Sequence, residues 1–206
     1  MRPSTPYSVI AVLSWPVLYW LYRLRVRGRE NVPATGGLVL ACSHVSSFDP
    51  WPLAIPLWPR RFFRFMAKSE LYWWPLKYVI AGAGAFPVRR GQGDVEAIET
   101  AVRLAREGHV IAMFPEGTRR RKGLVKRFEA RPRSGAARIA LEAGVPLVPA
   151  AVAGTDRLVL LGPLRVAYGE PVELDDLRDA EDPVAAAQEA TDRLMERIYE
   201  LERSLA

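Results

Sequence analysis

Apolar runs of strand length alternate along this chain with segments of helical spacing. Gly37-Leu38-Val39-Leu40-Ala41-Cys42 is an unbroken apolar run closed by polar Ser43, which reads as a buried strand. Asp49-Pro50 then supplies a helix start, a capping residue followed by proline at the first position. Further strands are expected over 62–67, 85–88 and 110–114, with a short helix over 74–81 stopped by Gly82 and Gly84. Residues 94–107 place Val95, Ile98, Val102 and Ala105 on one helical face, with Gly108 as the stop. A long polar, basic loop runs to Arg133 and a helix follows over 135–143. The run 145–153 is strand-like but broken by Pro146 and Pro149, and 164–168 gives a last strand. Val184, Ala187, Thr191, Leu194, Ile198, Leu201 and Leu205 share one face of a closing amphipathic helix.

Strands alternating with helices predict an α/β fold: a single domain with a mixed, largely parallel sheet flanked by helices. In such sheets ligands sit beyond the carboxyl ends of the strands. Three polar clusters follow apolar runs in this way, 43–49, Arg89-Arg90 and 115–121, and adjacent strands would bring them to one pocket. No internal repeat or low-complexity tract is present, and the acidic stretch 175–182 reads as a loop.

The first 25 residues stand apart, and the division expected is 1–25 as a membrane-interface helix and 26–206 as the α/β domain. Residues 7–22 carry no charge and are rich in Trp, Tyr, Val and Leu. That is shorter than the roughly 20 residues a spanning helix requires, and Pro16 is expected to kink it. Arg23, Arg25, Arg27 and Arg29 follow the run, where a secretory signal would carry small residues and a cleavage site. Trp15, Tyr19, Trp20 and Tyr22 suit the headgroup level of a bilayer. The run therefore reads as a helix lying in one leaflet, its arginines drawn to anionic lipid; a buried core helix is the other reading. The aromatic segment 71–76 would join it at the surface or in the core.

Composition narrows the choice. The 206 residues carry a formal charge of +6 and are half hydrophobic, which excludes disorder. A single cysteine, Cys42, excludes a disulfide scaffold, and two histidines leave little for a zinc site, so no metal is expected. Positive charge is concentrated between residues 60 and 133, and arginine supplies most of it, a side chain that grips phosphate as a planar fork. No nucleic-acid motif accompanies the charge, so no nucleic-acid partner is expected.

Two segments carry candidate chemistry. In Ser43-His44-Val45-Ser46-Ser47-Phe48-Asp49, an aspartate bonded to one ring nitrogen would fix the histidine tautomer and stabilise its cation. At the helix start Asp49 would divide its oxygens between helix N–H groups and the imidazole. No Gly-x-Ser-x-Gly elbow supplies a nucleophile, so the nucleophile is expected to be a substrate hydroxyl. Phe114-Pro115-Glu116-Gly117-Thr118-Arg119 leaves a strand with a glycine, a hydroxyl and cations, which suits an anion. Glu116 would orient an arginine or meet a substrate hydroxyl. His109 reads as a loop residue.

Taken together, these segments resemble the 1-acylglycerol-3-phosphate acyltransferases of the wider glycerolipid acyltransferase family. The likeness runs from Val26 to Tyr168 in four ordered blocks: His44-x4-Asp49 with Ser46, Gly84 to Arg90, Phe114 to Arg119, and Val145-Pro146-Leu147-Val148-Pro149. Ser43 stands where asparagine is usual, Arg89 where many members have an acid, and Arg120 where serine is common. The resemblance implies His44 as general base, Asp49 as its orienting partner, and Arg89, Arg90, Glu116, Gly117, Thr118 and Arg119 around the acceptor phosphate. It implies lysophosphatidic acid or a related lysolipid as acceptor. The acyl donor would be an acyl-CoA or acyl-carrier-protein thioester used as co-substrate, with no further cofactor. The expected location is the cytoplasmic face of the cell membrane, peripheral or monotopic. The alternatives are another lysophospholipid or glycolipid acceptor, or a non-catalytic basic protein that binds membrane surfaces.

Overall fold

The computed structural model describes residues 5–69, 72–82, 84–88, 94–117, 121–122, 126–127 and 132–205. The order is α1 (Thr5–Pro16), a π turn (Val17–Leu21), β1 (Arg25–Arg27), β2 (Leu38–Cys42), α2 (Pro50–Ala54) with a 3-10 turn (Ile55–Leu57), and β3 (Phe63–Lys68). Next come α3 (Leu76–Gly82), β4 (Ala85–Val88), α4 (Asp94–Arg106), β5 (Val110–Met113) and the short hairpin β6 (Arg121–Lys122)–β7 (Lys126–Arg127). The chain ends with α5 (Gly135–Ala143), β8 (Leu147–Ala153), β9 (Arg165–Tyr168) and α6 (Pro183–Leu205).

A seven-stranded sheet in the order β1-β9-β8-β2-β5-β3-β4 organises the molecule. Its neighbours are parallel except for the antiparallel pair β8/β9, which makes the sheet mixed and largely parallel as the alternation of elements implies. All five residues of β2 are buried, the property that makes its sequence a continuous apolar run rather than an alternating one. Successive side chains still point to opposite faces. Val39 and Ala41 pack with Ala101, Ile139, Leu194 and Ile198 under α4, α5 and α6. Leu38, Leu40 and Cys42 pack with Ala11, Leu18, Leu53 and Leu57 under α1, the π turn and α2. Two helical layers thus bury the central strands on both faces.

Several expectations change. Pro149 does not break its strand: β8 runs through it, paired with β2 at Ala41↔Pro149. The Pro149 carbonyl accepts from Gly169 N at 2.8 Å, so the missing N–H faces the margin where the β9 ladder, beginning at Ala150↔Tyr168, has ended. The basic loop contains the hairpin β6–β7. Arg25-Val26-Arg27 forms a strand on β9, with the arginines outward. Val184, placed on the buried face of α6 by its spacing, is 79% exposed.

The N-terminal segment is divided between the two readings of it. Tyr7, Ala11 and Leu18 are buried against the domain, whereas Val9, Val12, Leu13, Trp15, Trp20 and Leu21 face outward. Pro16 keeps helical angles, and the helix passes directly into the π turn, with Tyr22 N bonded to Val17 O at 3.1 Å. Trp73 and Trp74 of the second aromatic segment are exposed, and Leu71 lies outside the described residues. Among the described residues no helix is long and apolar enough to cross a membrane.

Candidate active site

His44 leaves the carboxyl end of β2 in a tight turn that closes on itself through Asp49. The imidazole Nδ1 lies 2.8 Å from Asp49 Oδ2, and the backbone N–H groups of Val45 and Ser46 donate to that same oxygen at 2.7 and 2.8 Å. Asp49 occupies the residue before α2 but makes no side-chain cap there. Its carboxylate turns back into the preceding loop, contrary to the shared arrangement expected from the sequence. The loop N–H groups have no ladder to join, and a carboxylate buried to 0% exposure needs several donors. An ionised carboxylate only accepts, so His44 Nδ1 carries the proton and Nε2 holds the lone pair. Among the described residues no side chain bonds Nε2, and the His44 side chain keeps 18% exposure.

Neighbouring strands complete the surroundings. The sheet order sets β8 and β5 on either side of β2, all three parallel, so the residues after each strand meet. From the β5 side, the Phe114 ring stacks on His44 with centroids 4.2 Å apart and planes at 27°. From the β8 side, the Thr155 hydroxyl donates to Asp49 Oδ1 at 2.5 Å. Neither partner is legible as such in the sequence. Phe114 is visible there as a motif residue, but Thr155 lies 106 positions from Asp49 and carries no local signal.

The segment Phe114 to Gly117 enters the same region. Pro115 and Glu116 are buried, and both Glu116 and Asp49 lie close enough to Cys42 to act on its thiol electrostatically. Gly117 has φ +66, and a Cβ there would meet the Arg133 side chain at 3.0 Å. A glycine is what the turn permits, with Gly117 N bonded to Phe114 O at 3.0 Å and Arg133 N to Pro115 O at 2.8 Å. Thr118, Arg119, Arg89, Arg90 and Arg120 lie outside the described residues. The strand that leads to Arg89 and Arg90, β4, stands at the sheet edge with β3 between it and β5.

Cys42 and the second histidine, His109, are both buried. Cys42 is buried, and burial first, then Asp49, pushes its thiol well above the ordinary range. His109 does sit between α4 and β5, but it is buried against the edge of Phe62, and burial with the nearby Arg64 lowers its imidazole. Among the described residues no group of three His, Cys, Asp or Glu side chains could hold a metal ion.

The arrangement has counterparts elsewhere. A family model described as Acyltransferase matches residues 23–153. The 1-acyl-sn-glycerol-3-phosphate acyltransferase of Bacillus subtilis is 34% identical over 191 residues, covering 88% of this chain and 89% of that one. A chloroplastic protein of that name from Brassica napus is 28% identical over 149 residues; the match covers 70% of this chain and 41% of the relative. In structure, the chain is similar to the 1-acyl-sn-glycerophosphate acyltransferase PlsC of Thermotoga maritima, with a TM-score of 0.68. That likeness covers 95% of this chain and 79% of the other at 22% identity, a correspondence of fold. The matched region runs from before β1 to the end of β8, taking in the His44–Asp49 turn and the Phe114 loop, and the chain accordingly belongs to the acyltransferase family.

Proposed function

We propose that this chain transfers an acyl group from a thioester to the free hydroxyl of 1-acylglycerol-3-phosphate, giving phosphatidic acid. The observation that carries the proposal is the 2.8 Å contact between His44 Nδ1 and the buried Asp49 carboxylate, an arrangement that leaves Nε2 for the substrate. The substrate hydroxyl donates its proton to Nε2 as its oxygen attacks the thioester carbonyl. The tetrahedral intermediate then expels the thiolate, which takes the proton back from the imidazolium. Asp49 holds the ring and stabilises that cation. A thiolate is a good leaving group, so direct attack suffices; general-base assistance contributes about 10² to 10⁴ in rate, with alignment and oxyanion stabilisation supplying more.

Gly117, Thr118, Arg119 and Arg90 would hold the acceptor phosphate, joined by Arg89, with Glu116 contacting a hydroxyl or ordering an arginine. The outward apolar face of α1 and the π turn would seat the protein in the cytoplasmic leaflet, where a lysolipid partitions. The likeness to the Bacillus and Brassica enzymes supports the acceptor. Arg89 in place of an acid favours, as a second reading, an acceptor whose headgroup is more negatively charged.

Thiol release from acyl-CoA with lysophosphatidic acid tests the proposal. His44→Ala should abolish transfer while fold and lipid binding persist; near-normal turnover would refute the base assignment. Arg119→Ala should raise KM for the acceptor. If KM for the thioester alone rises, the phosphate site belongs to the other substrate. Acceptors with and without a terminal phosphate decide the headgroup.

A further inference from the structure

Asp49 is wholly buried, and its two oxygens are held very differently. Oδ2 takes three donors, His44 Nδ1, Val45 N and Ser46 N, all from its own turn. Oδ1 takes the hydroxyl of Thr155, itself 2% exposed, from the far side of β2. We propose that Thr155 is a positioning residue for acyl transfer: it fixes the plane of the Asp49 carboxylate and so aims Oδ2 at His44 Nδ1. The inference rests on His44 acting as the base.

The local backbone is built to deliver this hydroxyl. β8 ends at Ala153, and Gly154 turns with φ +91, where a Cβ would lie 2.7 Å from Pro163 O. Thr155 then opens a 3-10 turn in which Arg157 N bonds Gly154 O at 3.1 Å. The parallel pairing of β8 with β2 carries the end of β8 to the His44 turn, and the reversal at Gly154 points the hydroxyl back at Asp49.

Without the hydroxyl, Oδ1 would be a buried acceptor with no donor among the described residues, and the carboxyl torsion is a broad one. The group would rotate, loosening the Oδ2–Nδ1 bond while the two backbone donors retained part of the geometry. The loss would fall on the step in which the imidazolium forms, and ground-state binding of either substrate would change little. A merely structural tie between β8 and the loop before α2 would behave differently, lowering thermal stability and leaving turnover per folded molecule intact.

Thr155→Val removes the hydroxyl at nearly constant shape, and Thr155→Ser keeps it. Turnover of both, with acyl-CoA and lysophosphatidic acid, should be compared with wild type and His44→Ala. The imidazole Nδ1–H proton resonance, identified by its loss in His44→Ala, reports the bond itself. We expect Thr155→Val to lower kcat about tenfold, the scale of a hydrogen bond to a charged group, with both KM values within about twofold. The resonance should shift or broaden in Thr155→Val and return, with most of the activity, in Thr155→Ser. Wild-type turnover in Thr155→Val beside an inactive His44→Ala overturns this inference alone. So does a loss that serine fails to restore, or one with the resonance unmoved. Near-normal turnover in His44→Ala overturns the base assignment and this inference with it.

Discussion

Replacing Asp49 by asparagine separates what the carboxylate does for the fold from what it does for the reaction. The amide oxygen would take the place of Oδ2, because an NH2 there would face the donating N–H groups of Val45 and Ser46. The NH2 would then face Thr155, whose hydroxyl rotates to accept. All four contacts survive, each weakened by about 1 kcal/mol on losing its charge. Release from the cost of burying that charge offsets part of this loss, so the net stability change should stay within about 2 kcal/mol. For a domain of this size that is a Tm shift of up to about 8 °C. The catalytic effect is larger. At a separation of about 4 Å and an effective dielectric constant of about 20, a carboxylate and an imidazolium attract by about 4 kcal/mol, which corresponds to about 10³ in rate. Thiol release under saturating substrates should therefore show kcat reduced by 10² to 10³, on the order expected from that attraction, with KM values little changed. A folded Asp49→Asn protein with kcat within about tenfold of wild type would refute the reasoning that the carboxylate stabilises a cationic His44.

Two further predictions follow from the surface and the core. Trp15 and Trp20 are 43% and 75% exposed, so the double change to serine should reduce partitioning onto vesicles containing anionic lipid by about tenfold or more. Turnover of a short-chain, water-soluble acceptor should stay unchanged, and unaltered vesicle binding would remove α1 as the docking face. His109 is held neutral by burial, its folded value lying below the ordinary 6.5. The unfolded chain therefore binds the proton first as pH falls, and the stability present above about 6.5 declines below it. Urea midpoints at high and low pH across that window should differ less in His109→Gln than in wild type; an equal gap in both would show that His109 carries none of the dependence.

Much of the architecture was readable because its signals are local. β2, with every residue buried, has no choice but to be apolar throughout, and β4 and α5 fall where the apolar runs and glycines put them. The His44–Asp49 contact was equally legible, being a matter of one short turn, although the turn draws Asp49 into the loop and away from the α2 cap. Pro149 misled because a proline penalises a strand only if its missing N–H faces a partner, and that depends on where β9 ends. Val184 misled in the opposite direction: a helical face extends as far as its spacing repeats, whereas burial along α6 begins only at Ala186 and Ala187 and leaves Val184 in the first turn exposed.

The chain by itself determined its chemical inventory and the strand ends on which that inventory sits, since apolar runs, turn residues and the spacing from His44 to Asp49 are properties of neighbours in sequence. Which strand ends share a boundary was decided only in three dimensions. The order β8-β2-β5 sets Thr155 and Phe114 on opposite sides of the His44 turn. That order comes from burying two faces of one sheet under separate helical layers, an energy summed over the whole core, and no segment of the chain encodes it alone.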